Sequence, residues 1–87
     1  MIRVLIPSQL RSYTDGAAQV SAIGADIDAA LDDLDARFPG IKFRVIDEQG
    51  AVRKHMRLFA NGAIARRIDI ALKDGDELMI VGALSGG

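Results

Sequence analysis

The chain finishes Ala83-Leu84-Ser85-Gly86-Gly87, so its last reactive group is a backbone carboxylate carried by residues without side chains. Such a carboxylate is inert until activated, and ATP can activate it as an acyl-adenylate on a partner enzyme. Glycine suits that use. It threads a channel too narrow for any other residue, and its free amides can be gripped by a partner that captures a C-terminal carboxylate. An extension past a last strand carries its end into another protein's active site, as a fixed terminus could not. Two terminal glycines also arise from glycine's ordinary abundance or from a cloning scar. The ending therefore needs support from the rest of the chain.

No other residues form a catalytic set. The single histidine, His55, starts an expected strand and has no second imidazole or thiolate with which to share a metal. Asp32, Asp33 and Asp35 read as a solvated helix face, since paired acid–base work needs carboxylates converging in a cleft. The run Asp74-Gly75-Asp76-Glu77 lacks calcium-loop spacing and reads as a turn. No P-loop or dinucleotide-binding glycine pattern appears. The absence of cysteine excludes disulfides and thiolate chemistry. We expect no catalytic residue, no metal and no bound cofactor. Two basic clusters, Arg53-Lys54 with Arg57, and Arg66-Arg67, could form a patch, which is either ordinary solvated charge or a docking point for an acidic partner.

The elements that must hold this ending are those of one small domain. The 87 residues are 49% apolar and 26% charged, which is a globular composition. A net charge of −1 with no basic half argues against nucleic acid. No run approaches the roughly twenty apolar residues that cross a bilayer, and no signal peptide is visible, so a cytoplasmic protein is expected. Residues 2–7 alternate as a strand, with Leu5 opposite Ile2, Val4 and Ile6. Residues 18–23 alternate again behind an Asp15-Gly16 turn. Asp26 is placed to cap a helix whose stripe is Ile27, Ala30, Leu31, Leu34 and Phe38, ended by Pro39-Gly40. Residues 41–54 fit either a short strand pair around Gln49-Gly50 or a helical turn and loop. Residues 55–60 alternate, Asn61-Gly62 signals a hairpin, and residues 77–81 are apolar on both faces, as an interior strand is. Phe59, beside Arg57, falls on the face opposite Met56 and Leu58. If that face is open, it joins Leu5, Met79 or Val81 in an exposed apolar patch of the kind that marks partner contacts.

A helix between two strand pairs covers one sheet face, giving an α+β two-layer domain. With the first and last strands parallel neighbours, this is the ubiquitin-like β-grasp: a mixed four- to five-stranded sheet on one main helix. Residues 1–82 are expected to form the domain and residues 83–87 a flexible tail.

On the opening "IRVLIPSQLRSYT", the helix "DIDAALDDLDARFPGI", the strand and turn "RLFANG" and the ending "LKDGDELMIVGALSGG", the chain resembles the ubiquitin-like sulfur-carrier proteins. That family includes the small subunit of molybdopterin synthase and the carriers of thiamine and cysteine biosynthesis. The length and the opening look more like the cysteine-type carrier or a molybdopterin-type subunit than the shorter thiamine type, and the cysteine type or a related secondary-metabolite carrier is favoured. The resemblance implies a ubiquitin-activating-type enzyme that uses ATP to adenylate Gly87, a sulfur donor that makes the thiocarboxylate, and a biosynthetic enzyme that accepts the sulfur. Gly86 would supply clearance, and Ala83, Leu84 and Ser85 would form the inserting tail, with Leu84 as its anchor. Many relatives have proline where Gly82 stands and alanine where Ser85 stands, which bears on the choice of partner. A subunit of molybdopterin synthase, a ubiquitin-like protein modifier using the same terminus, and a non-covalent adaptor docking through Phe59 remain as alternatives.

Overall fold

The computed structural model describes residues 1–82. Strand β1 (Ile2–Leu5) pairs antiparallel with β2 (Gln19–Ala22), and the connection between them includes a 3-10 turn at Ser8–Leu10. Helix α1 (Ile27–Arg37) and the short α2 (Ile41–Val45) follow. A hairpin of β3 (Met56–Ala60) and β4 (Ala63–Ala65) comes next, and β5 (Glu77–Gly82) ends the sheet. The strand order is β2-β1-β5-β3-β4, with β5 parallel to β1 and antiparallel to β3. This is the β-grasp: the last strand lies in the middle, and the crossover that reaches it carries the helices.

The reasons are local. Asp26 is extended, and its carboxylate accepts from the Ala29 amide at 2.8 Å, which caps α1. The other early amides are also met: Ile27 N–H donates to the Ile70 carbonyl (3.1 Å) and Asp28 N–H to that of Ile68 (2.8 Å). The segment before β5 therefore binds the start of α1. Ile27, Ala30, Leu31 and Leu34 form the buried stripe, and Phe38 packs half-buried at its end. They close on Ile2, Val4, Leu58, Leu78 and Ile80, the alternate residues of three strands. Asn61 and Gly62, with φ of 51° and 85°, make the tight turn between β3 and β4.

Residues 41–54 combine the two forms that the sequence allows. One turn of helix, α2, is followed by a single bridge between Ile46 and Val52 around the turn at Gly50 (φ 81°). The first strand ends at Leu5 rather than at residue 7, although Ile6 is buried. The second starts at Gln19, leaving Ala18 exposed.

Gly24, in the loop between β2 and α1, passes close against the helix backbone. A Cβ built there lies 2.7 Å from the Ala29 carbonyl carbon and 2.9 Å from Ala30 Cα. Those atoms are helix backbone and cannot rotate aside. Gly24→Ala is expected to cost about 1–3 kcal/mol, read as a lower urea midpoint at unchanged slope. An unchanged midpoint would mean that α1 slides freely on the sheet.

Candidate functional site

Strand β5 sets the site, because it holds the last described residues before the expected functional ending. Leu78 and Ile80 point into the core, while Met79 and Val81 lie half-buried on the other face. The last register pair sets Gly82 against Met56. Gly82 does not have the left-handed backbone that favours glycine; the reason for a small residue here is space. The Gln9 side chain lies over it, and an added Cβ would come 2.5 Å from Gln9 Cδ and 3.0 Å from Oε1. Gln9 is exposed and flexible, so a larger residue would displace it rather than break the strand.

The sheet face away from the helices carries one cross-strand row. Leu5 is registered with Met79, Met79 with Phe59, and Phe59 with Ile64. Arg57 lies in the next row, opposite Val81. Leu5, Met79 and Phe59 are half-buried and Ile64 is 43% exposed; none packs against the core cluster. Phe59 thus sits where the period-two reading places it, with Leu5 and Met79 beside it. Ile64 was missed. The two-residue turn at Asn61-Gly62 fixes it opposite Phe59, so the signal was present in the hairpin. Arg57 is exposed, and its guanidinium Nη1 donates to the carbonyls of Lys54 (2.9 Å) and Met56 (2.8 Å). Ala83, Leu84, Ser85, Gly86 and Gly87 lie outside the described residues.

The carboxylates of α1 have structural duties. Asp33 pairs with Arg37 at 3.0 Å and accepts from the Ile23 amide. Asp35 accepts from the amides of Gly40 (3.0 Å) and Lys42 (3.1 Å), capping α2. Lys42 binds Asp28 at 2.6 Å and Asp32 at 2.5 Å. Burial alone would lower the pKa of Lys42, but the hydrogen bonds to Asp28 and Asp32 outweigh it and raise the net value. A raised lysine contributes fully below its ordinary value and loses that contribution only as pH climbs through the raised one. This tie between the helices therefore holds across neutral pH. Backbone amides of Ala51 and Gln49 hold the Asp47 carboxyl below its usual range, which fastens the turn after α2. His55 is exposed just before β3. Among the described residues no three His, Asp or Glu side chains gather as a metal site, and no helix is long and apolar enough to cross a membrane.

The row is apolar, half-buried and crosses the middle of β5. Known proteins share both the sequence and this architecture. The chain is 33% identical to the sulfur carrier protein CysO of Mycobacterium tuberculosis, over 99% of this chain and 98% of that protein. It superposes with TM-score 0.92, at 32% identity and full coverage of both chains, on a chain of the Amycolatopsis orientalis BexX/CysO complex. Small archaeal modifier protein 1 (SAMP1) from Haloferax volcanii matches with TM-score 0.78 at 28% identity, over 99% of this chain and 98% of that one. The ThiS family model matches residues 4–87, so its span runs from the first strand through both terminal glycines. By that match, and by its full-length identity to CysO, the chain belongs to the ThiS family.

Proposed function

We propose that this protein is a cytoplasmic sulfur carrier whose working group is the Gly87 carboxylate, serving cysteine or related metabolite biosynthesis. A carboxylate oxygen of Gly87 attacks the α-phosphorus of ATP on a ubiquitin-activating-type enzyme and releases pyrophosphate. The sulfur of a donor then displaces AMP from the acyl carbon, which leaves a thiocarboxylate. A biosynthetic enzyme accepts that sulfur, and hydrolysis restores the carboxylate. Gly86 gives clearance beside the reacting carbon, and Ala83, Leu84 and Ser85 enter the partner's channel with Leu84 as anchor. ATP belongs to the partner, and the chain itself is a carrier rather than a catalyst. The Phe59 row, with Arg57 beside it, docks the activating enzyme and so directs the tail into its site.

The observation that carries this reading is the family match that continues through Gly86 and Gly87 on a chain similar over its whole length to a sulfur carrier. Incubation with the host's activating enzyme, ATP and a sulfur donor is expected to replace one oxygen by sulfur at Gly87, measured by intact mass. Absence of that shift with an enzyme shown to be active on another carrier would end the proposal. The likeness to SAMP1, by name a modifier protein, favours one second reading, conjugation of the same terminus to lysine. That reading predicts isopeptide-linked conjugates in cell extracts where the carrier reading predicts a thiocarboxylate.

A further inference from the structure

The two basic clusters, separated in sequence, meet at the mouth of the β3–β4 hairpin. The strand ends opposite the Asn61-Gly62 turn bring Arg57 and Arg66 together, and the segment leading into β3 adds Arg53 and Lys54. All four line one open groove of about 350 Å³. Val52, Met56 and Ile64 line the same groove, so it has apolar walls among its cations. Among the described residues no carboxylate lines it. Among the described residues none of these cations forms an ion pair, although the chain has 12 acidic residues. Several acids pair elsewhere: Asp28 and Asp32 with Lys42, Asp33 with Arg37, Asp69 with Arg67, and Glu77 with Arg3; Asp47 is near enough to Arg53 to feel its charge but forms no ion pair with it.

Two of the four cations are fixed in place. Arg53 Nε donates to the Phe43 carbonyl at 2.6 Å, and its guanidinium lies 4.4 Å from the centre of the Phe43 ring. Arg57 is held by the carbonyls of Lys54 and Met56. Fixed guanidiniums lose less freedom when they bind a carboxylate. The groove also adjoins the strand exit, since Met56 is registered with Gly82 and Arg57 with Val81. A protein that takes the residues after Gly82 is thereby brought over it.

We propose that this groove receives an acidic segment of a protein partner, with carboxylates on the four cations and an apolar side chain against Val52 and Ile64. The partner class, an enzyme that engages the tail, rests on the carrier reading; the groove's preference for an acidic segment does not. Apolar walls favour a peptide over a bare phosphate or a nucleic-acid backbone. Such a contact raises the association rate and is weakened by salt.

The test is a titration of the isotope-labelled full chain followed by backbone amide shifts, so it reads the groove without any sulfur chemistry. The probes are an Asp/Glu-rich peptide with a central leucine, a Lys-rich peptide of equal length, and inorganic phosphate. The acidic peptide is expected to shift the amides of residues 52–57 and 64–66 saturably, with affinity falling as salt rises. Lys54→Glu with Arg66→Glu, both exposed and making no side-chain hydrogen bond among the described residues, is expected to weaken binding about tenfold at unchanged fold. Equal shifts from phosphate at equal concentration would overturn the proposal in favour of a small-anion site. Equal binding by the Lys-rich peptide, shifts centred elsewhere, or indifference to the double reversal would also overturn it. The peptide result and the mass shift at Gly87 can fail separately.

Discussion

Removing Gly86 and Gly87 is expected to abolish thiocarboxylate formation and sulfur transfer while leaving thermal unfolding unchanged. The truncated chain still ends in a carboxylate, now that of Ser85, so the experiment asks about clearance and reach rather than about the presence of the group. Serine at the end places a side chain where the activating enzyme must close around a slim backbone, and the carboxylate falls two residues short. Proximity contributes several powers of ten to a rate, and a reacting atom withdrawn by two residues forfeits it. Stability should not follow, because the core is drawn from residues between Ile2 and Ile80. Intact-mass analysis and a melting curve on one preparation give both answers. Retained thiocarboxylate would refute the assigned role of the glycines. Retained binding to the activating enzyme with lost sulfur transfer would separate docking on the Phe59 row from chemistry at the terminus.

The second large effect concerns the strand from which the tail leaves. Leu78 is fully buried in the central strand and faces α1 across the core. Leu78→Ala is expected to cost about 2–5 kcal/mol, the range for emptying a leucine-sized space in a packed core. A single domain of this size has a stability of about 5–15 kcal/mol at most, so the variant should lose much of it. At roughly 4–8 °C per kcal/mol for a domain of 60–100 residues, calorimetry should record a fall in Tm well beyond error. Sulfur transfer measured far below the new Tm should survive, because Leu78 lies on the face away from the Phe59 row. Loss of transfer by a folded Leu78→Ala protein would instead show that the exit depends on the packing beneath it.

How much of this was legible in the sequence depended on how local each signal was. Asp26, the stripe from Ile27 to Leu34 and the Asn61-Gly62 turn were readable because cap, period and turn are properties of a few adjacent residues. The two-faced apolar run of β5 likewise announced its central place. Residues 41–54 gave no single reading. A five-residue helix is too short to show a period, and the bridge between Ile46 and Val52 is one pair rather than a ladder. For the site, Phe59 followed from alternation, and Leu5 and Met79 joined it once the two strands were taken as neighbours. Gln9 over Gly82 was illegible, because it depends on where a non-repetitive loop lies against a strand from the other end of the chain. That the two basic clusters could form one patch was legible, because the Asn61-Gly62 turn folds β4 back along β3; that Arg67 stays out of the groove was not.

The parallel pairing of β1 with β5 has a mechanical consequence. Tension applied along the axis of β5 from its Gly82 end is taken up by both neighbouring strands. Three register pairs with β1 and five with β3 then resist together, as a lap joint resists shear, instead of opening singly as a zipper does. A strand at the sheet's edge would share the same load with one neighbour instead of two. By ending its central strand beside the groove, the domain gives a partner something firm to tug against.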